Sequence, residues 1–120
     1  MKRILLVEDN ELNRDMLSRR LRKVGYEVIT VADGSEALQT AGAECPDLIL
    51  MDISLPKMDG LTVTRRLRDD KKTAQIPIIA LTAHAIIGDR EKSLEAGCDE
   101  YETKPVDMVK LLSKIAQFIG

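Results

Sequence analysis

Apolar residues along the chain form short continuous runs that alternate with segments of helical spacing. Residues 4–7 are apolar throughout, which is typical of a strand covered on both faces, as in a parallel sheet. The segment 11–24 places apolar residues at 12, 16, 17, 21 and 24, close to the period of a helix. Asn10 is a suitable cap and Gly25 a natural end for it, so the chain begins with a predicted strand and helix.

The same alternation continues to the last residues. Further strands are predicted at 27–31, 47–51, 76–81 and 100–103. Helices are predicted after Asp33-Gly34, after Gly60, over 89–94 and from the cap Asp107 onward, and the one over 89–94 has a thin apolar face. This pattern predicts an α/β, flavodoxin-like fold: a doubly wound, five-stranded parallel sheet in order 2-1-3-4-5 with five helices.

Composition narrows the class of protein. The 120 residues suit one domain, 1–120, and the net charge of −2 gives no support for a nucleic-acid partner. No apolar stretch approaches the roughly 20 residues that cross a bilayer, and the first run is too short for a signal peptide. Cys45 and Cys98 read as free thiols of a reducing compartment. We therefore expect a cytoplasmic protein without a membrane partner or a DNA-binding output domain.

Polar side chains follow four of the five predicted strands, at the points where these strands end. They are Glu8-Asp9, Asp52, Thr82 and Lys104. The carboxyl ends of parallel strands share one edge of the sheet, so we expect these groups to meet. Crowded carboxylates require either a raised pKa on one of them or a bound cation. All-oxygen ligands suit Mg²⁺, with Asp9 and Asp52 as direct ligands and Glu8 partly through water.

Asp52 is interpreted as the nucleophile that accepts a phosphoryl group, forming an aspartyl phosphate. Lys104 offers a positive charge and Thr82 a hydroxyl donor to the phosphoryl oxygens, and the metal offsets their charge. Each motif also has an ordinary structural explanation: the acids could be helix caps, Lys104-Pro105 could form a turn, and Thr82 could simply end a strand. Only their expected convergence at one edge of the sheet favours a phosphate-accepting site. His84 is interpreted as a loop residue controlling access, and the arginines 19, 20, 22, 65, 66 and 68 as solvated helix faces.

The motifs resemble those of bacterial response-regulator receiver domains, over the whole chain. The matching segments are Glu8-Asp9-Asn10, Asp52 with Leu55-Pro56 and Asp59-Gly60, Thr82-Ala83 and Lys104-Pro105. Glu11-Leu12-Asn13, the segment 82–85 and Gly88-Asp89 are most similar to single-domain receivers of the DivK type and to receivers of hybrid histidine kinases.

The resemblance implies a role for each site residue. Asp52 would be the phosphorylation site, and Glu8, Asp9, Asp52 and the backbone carbonyl of Ser54 would bind Mg²⁺, with Mn²⁺ or Ca²⁺ as substitutes. Thr82 and Lys104 would contact the phosphoryl group, and Tyr101 would be the switch aromatic. Lys104–Pro105 would be a cis bond, a form that X–Pro bonds permit.

The resemblance also implies partners. A histidine kinase or histidine phosphotransfer protein would supply the phosphate. A downstream protein target would bind around the fourth helix, fifth strand and fifth helix, where Val109, Ala116 and Phe118 fall off the core face and Ile86-Ile87 lie in a loop. We expect a monomer or a weak phosphorylation-dependent dimer, and a signalling phosphoacceptor rather than an enzyme.

Three other functions fit the same architecture. An aspartate-nucleophile phosphatase usually has a second acid two residues after the nucleophile, where this chain has Ser54. A flavin or nucleotide carrier would need a Gly-rich phosphate loop after the first strand, where Glu8-Asp9 would repel a phosphate. A receiver-like module that is never phosphorylated would not need the complete set of acids, Thr82 and Lys104.

Overall fold

The computed structural model describes residues 1–83 and 89–120, which form five strands and five helices in alternation. The strands are β1 Arg3–Val7, β2 Glu27–Val31, β3 Leu48–Asp52, β4 Ile78–Thr82 and β5 Glu100–Thr103. The helices are α1 Glu11–Lys23, α2 Gly34–Glu44, α3 Gly60–Asp69, α4 Asp89–Ala96 and α5 Met108–Ile119. All strands are parallel, in the order β2-β1-β3-β4-β5, so the predicted fold class is confirmed.

Helices cover both faces of the sheet and create two apolar cores. The α1/α5 core contains side chains from those helices, among them Leu17, Leu21, Leu111 and Ile115. The α2/α3 core lies on the opposite face and contains Ala37, Ala41, Val63 and Leu67. Every residue of β3 and β4 is buried, which explains their continuous apolar runs. No helix among the described residues is long and apolar enough to cross a membrane.

Side-chain caps fix where several helices begin. The predicted caps Asn10 and Asp107 are confirmed: Asn10 Oδ1 accepts from the Asn13 N–H at 3.0 Å, and Asp107 Oδ1 accepts from the Val109 N–H at 3.0 Å. Asp59 Oδ1 likewise accepts from the Thr62 N–H at 2.9 Å. Each cap satisfies an otherwise unpaired amide and ends the loop that leaves the preceding strand.

One interpretation of a surface position was wrong, and the apolar positions of α1 divide between core and surface. Leu17 and Leu21 are buried, whereas Leu12 is 81% and Met16 45% exposed. Arg68 is not a solvated residue, because its guanidinium donates to backbone carbonyls and to Asp99. Positions 84, 86 and 87, interpreted as loop residues, lie outside the described residues.

The predicted thin apolar face of α4 is confirmed. Within residues 90–96 only Ser93 and Ala96 are buried. The C-terminal end of α4 has a firmer attachment, because Arg68 Nε donates to the Gly97 carbonyl at 2.9 Å and Arg68 Nη2 lies 2.8 Å from Asp99 Oδ2. The helix is therefore attached more strongly to α3 at this end than along its length.

Gly60 provides a test of how closely α3 approaches the end of β3. A Cβ on Gly60 would lie 2.3 Å from the Asp52 carbonyl oxygen and 2.8 Å from Ile53 Cα. Because backbone atoms cannot move aside easily, Gly60→Ala should lower the free energy of unfolding by about 2 kcal/mol in urea denaturation. The matched control is Gly42→Ala in α2, where a Cβ meets nothing within 4 Å. That change should stabilise the protein by about 1 kcal/mol, and equal destabilisation by both would contradict the close approach.

Candidate functional site

Three carboxylates meet at the carboxyl edge of the sheet. β3 ends on Asp52, while Glu8 and Asp9 directly follow β1, and the two strands pair in parallel with Val7 opposite Met51. Glu8, Asp9 and Asp52 each bring an oxygen to within 4.8 Å of the others. Glu8 is 0% and Asp52 2% exposed, whereas Asp9 is exposed, so the cluster is buried on one side and open to solvent on the other.

Lys104 supplies the positive charge of this cluster from the end of β5. Its Nζ lies 2.6 Å from Glu8 Oε1 and 3.3 Å from Asp52 Oδ2. Its backbone N–H donates to the Thr82 carbonyl at 2.6 Å, which joins the ends of β4 and β5. The Lys104–Pro105 bond is cis, as the family resemblance implied.

Burial and charge shift the pKa values of this pair. Burial raises the pKa of the Glu8 carboxyl, and hydrogen bonds from Lys104 and the Asn10 N–H oppose that shift without cancelling it. Burial lowers the pKa of the Lys104 ammonium, but the hydrogen bond to Glu8 and the charge of Asp52 outweigh this, so its pKa lies above the usual value. A half-buried lysine thus provides part of the positive charge that three neighbouring carboxylates require.

The donor set fits a hard divalent cation. Asp9 is exposed, and Asp52 Oδ1 accepts from the Ser54 N–H at 2.9 Å. Both Glu8 oxygens already have partners, since Oε1 accepts from Lys104 and Oε2 from the Asn10 N–H at 3.1 Å. Asp52 Oδ2 likewise lies 3.3 Å from Lys104 Nζ, so a cation would share both of these carboxylates with the lysine. Carboxylate and carbonyl oxygens are the ligands that Mg²⁺ prefers.

The remaining predicted site residues lie on the strands or in the loops that follow them. Thr82 ends β4 and is 2% exposed, and Ala83 beside it is exposed. Ser54 is exposed in the loop after β3. Tyr101 is half-buried on β5 and packs in part against the α2/α3 core, and its carbonyl accepts from Lys114 Nζ at 2.7 Å. Thr82 therefore lies at the end of β4, Tyr101 lies on β5, and Lys104 directly follows β5.

The sequence interpretation missed a groove beside the cluster. It has a volume of about 530 Å³ and extends from Lys104 along α1 and the start of α5. Its lining includes Asn13, Met16, Arg20, Pro105 and Met108. The signal was the surplus of apolar positions in α1, because Leu17 and Leu21 already supply its core contact and leave Met16 without a place in the core.

Fold and site together define a protein that takes part in two-component signalling. The chain belongs to the response regulator receiver domain family, whose model matches residues 4–116. Receiver domains are signalling phosphoacceptors and are generally not classed as enzymes. The polar-differentiation response regulator DivK of Brucella ovis is 43% identical over 119 residues, covering 99% of this chain and 97% of DivK.

Solved structures agree with this assignment. The receiver domain of the sensor histidine kinase PA1611 from Pseudomonas aeruginosa has a TM-score of 0.92 and 44% identity, covering 99% of this chain and 98% of that one. That structure holds a magnesium ion coordinated in its active-site cleft. The receiver domain of Ssk1 from Saccharomyces cerevisiae was solved with the histidine phosphotransfer protein Ypd1. It has a TM-score of 0.89 and 32% identity, covering 98% of this chain and 88% of the Ssk1 chain.

Proposed function

We propose that Asp52 accepts a phosphoryl group from a phosphohistidine of a partner protein. The observation that carries this proposal is the meeting of Glu8, Asp9 and Asp52 with Lys104 at one edge of the sheet. A carboxylate oxygen of Asp52 forms the new bond to phosphorus while the bond from phosphorus to the imidazole nitrogen breaks. The protein acts once per phosphoryl group and serves as a signal carrier rather than a multiple-turnover enzyme.

We propose that Glu8, Asp9, Asp52 and the backbone carbonyl of Ser54 hold Mg²⁺. When bound, the ion offsets the negative charge of the transferred phosphoryl oxygens. Mn²⁺ and Ca²⁺ prefer the same oxygen ligands, so both should substitute. The proposal is supported by the fit of the oxygen donors and by the magnesium of the Pseudomonas receiver.

The chain's own residues then bind and report the phosphoryl group. Lys104 pairs with one phosphoryl oxygen through its ammonium, and Thr82 donates its hydroxyl to another. Movement of Thr82 toward the new anion makes room for Tyr101 to turn inward, and the thinly packed α4 shifts with it. A local change of charge thereby changes which of two arrangements of the α4–β5–α5 surface is populated.

The phosphoacceptor assignment is tested by intact-mass measurement after incubation with Mg²⁺ and a small phosphodonor. The wild type should gain one phosphoryl group, and Asp52→Asn should gain none because the amide is not a nucleophile for phosphorus. The matched control is Asp59→Asn, which removes a nearby carboxylate and keeps the helix cap, since asparagine caps equally well. Phosphoryl uptake by Asp52→Asn, or undiminished uptake by the wild type after chelation of the metal, would contradict the proposal.

We propose that the phosphohistidine partner docks in the groove along α1. This position is supported by the nearness of the groove to Lys104 and by its exposed apolar and basic side chains, such as Met16 and Arg20. The related Ssk1 receiver was solved with a histidine phosphotransfer protein, which supports a partner of this kind. The apolar part of the groove would pack against the partner while the phosphohistidine reaches Asp52.

A charge placed in the groove separates docking from chemistry. Met16→Asp should lower the rate of phosphoryl transfer from a phosphorylated histidine phosphotransfer protein by at least about 10-fold, because a buried, unpaired carboxylate opposes docking. Uptake from a small phosphodonor should stay unchanged. The matched control is Val109→Asp, at a position 80% exposed on α5, which should transfer at the wild-type rate. Equal slowing by both variants would remove the groove as the docking site.

The domain organisation, the output surface and the cellular location are also proposed. We propose that residues 1–120 act as one receiver domain whose downstream protein target binds the α4–β5–α5 surface, where Leu94, Val109 and Phe118 are exposed. The domain is proposed to be a monomer that forms at most a weak dimer after phosphorylation. Its two free cysteines, one of them exposed, are in keeping with the reducing cytoplasm.

A further inference from the structure

β2 lies at one edge of the sheet, and its outer side presents backbone groups that could pair with another strand. The Glu27 N–H donates to the Lys2 carbonyl, and the Val31 carbonyl accepts from the Glu8 N–H, so both residues face β1. Backbone groups of successive residues point to opposite sides of a strand, so those of Val28 and Thr30 face outward. Among the described residues, β2 has a neighbouring strand on the β1 side only.

The composition of β2 makes this edge prone to pairing. The strand reads Glu-Val-Ile-Thr-Val, and every residue after Glu27 is β-branched. Thr30 is exposed and Ile29 is half-buried, and no strand among the described residues pairs with β2 on its outer side. An exposed edge strand with high strand propensity and low charge is a template for association unless something blocks it.

Arg22 lies across this edge. It is near the end of α1, and its Nη2 donates to the outward-facing Val28 carbonyl at 3.1 Å. The guanidinium thereby occupies one of the acceptors that a pairing strand would need, and it places a positive charge beside the edge. Arg22 itself is exposed, so this contact is not part of either apolar core.

We propose that Arg22 prevents the β2 edge from pairing with the β2 edge of a second copy of this chain. Two copies related by a two-fold axis at Ile29 would set Val28 of one opposite Thr30 of the other. In that antiparallel arrangement each Val28 exchanges both backbone hydrogen bonds with the partner's Thr30. In each copy the Val28 carbonyl already accepts from Arg22. Pairing would also bring the two positively charged guanidinium groups together at the interface.

The test is the association state of Arg22→Met, which keeps the length of the side chain and removes its donors and charge. Unphosphorylated protein is followed by sedimentation equilibrium up to about 1 mM, where weak pairing becomes measurable. The average mass of Arg22→Met should rise from the 13.4 kDa monomer by up to about 2-fold as the protein is concentrated. Exchange of the Thr30 N–H with solvent should slow over the same range.

Two controls separate the edge from general effects of charge. Arg19→Met removes a positive charge from the same helix, where the side chain is 77% exposed and paired with Asp15, and it should stay monomeric. Adding Thr30→Pro to Arg22→Met should restore the monomer, because proline removes the outward N–H and is tolerated at an edge position facing solvent. Arg22→Ala replaces the methionine variant if that variant does not fold.

The outcomes are distinct. Association of Arg22→Met that Thr30→Pro reverses supports the proposal. A monomeric Arg22→Met, equal association of Arg19→Met, or association that survives Thr30→Pro would each overturn it. Phosphoryl uptake at Asp52 should be the same in all of these variants, because the β2 edge is separate from the acidic cluster.

Discussion

Replacing Lys104 with methionine should lower the rate of phosphoryl uptake from a small phosphodonor by about 10²-fold, because the charge proposed to stabilise the transferred oxygens is lost. The same change should lower the free energy of unfolding by about 3 kcal/mol at pH 8 in metal-free solution. Lys104 is 17% exposed and lies 2.6 Å from Glu8, which is fully buried and would be left as an unpaired charge. Phosphoryl uptake is measured by intact mass and stability by urea denaturation.

The loss of stability in Lys104→Met should depend on pH because it leaves the Glu8 carboxylate without its lysine partner. Without the hydrogen bond from Lys104, the pKa of Glu8 should rise further above its usual value. A raised carboxyl pKa gives stability that is fully present below the unfolded-state pKa and is lost as the pH rises through the folded-state pKa. The methionine variant should therefore be less destabilised at pH 5 than at pH 8.

Mg²⁺ should stabilise the Lys104→Met variant more than the wild type, because the ion no longer competes with the ammonium for Glu8 and Asp52. The matched control is Lys110→Met at an exposed position of α5, which should change stability by no more than about 0.5 kcal/mol. Equal effects of the two substitutions would show that Lys104 is an ordinary surface lysine.

Arg68→Met should also destabilise the protein strongly, by about 3 kcal/mol, which lowers Tm by roughly 10 °C. The guanidinium donates to the carbonyls of Ala74 at 3.0 Å, Ile76 at 2.6 Å and Gly97 at 2.9 Å, and it pairs with Asp99 at 2.8 Å. Asp99 Oδ2 in turn accepts from the Ile78 N–H at 2.9 Å. One side chain thus joins the end of α3 to the start of β4 and to the end of α4.

Thermal unfolding and amide hydrogen exchange measure both the size and the location of this loss. Amide exchange should quicken most at Gly97, Asp99 and Ile78. Gly97 and Asp99 contact Arg68 directly, and the Ile78 N–H donates to Asp99, which Arg68 holds in place. Arg68→Lys should recover little, because an ammonium lacks the fork that reaches several carbonyls at once. Arg65→Met changes an exposed position on the same helix, so its free energy of unfolding should stay within about 0.5 kcal/mol of the wild-type value. A loss of stability as large as that of Arg68→Met would contradict the anchoring role of Arg68.

The gathering of Glu8, Asp9, Asp52 and Lys104 could be predicted from the sequence because it depends on little besides strand order. Apolar runs located the strand ends, and parallel strands bring those ends to one edge. The chemical roles of these residues stay predictions until phosphoryl uptake is measured. The bond from Lys104 to Glu8 could not be predicted, since it depends on the direction of a long side chain and not on its position in the chain.

Arg68 shows a second limit of sequence patterns. Its place on the polar side of α3 suggested solvation, because hydrophobic periodicity separates core positions from all others and does not distinguish among the others. The carbonyls that it binds belong to turns at 73–76 and 97, and their direction depends on backbone conformation that the pattern does not encode. Met16 is the opposite case, an apolar residue that periodicity alone would assign to the core.

The order in which the charges of the site appear along the chain has a consequence for synthesis on the ribosome. Lys104 follows Glu8 by 96 residues, and β5, which carries it to the sheet, is translated after the other four strands. Until β5 docks, the nascent chain has its carboxylates without the ammonium that offsets their repulsion. Competence to receive a signal should therefore arise only when β5 and Lys104 have left the exit tunnel and docked on the sheet.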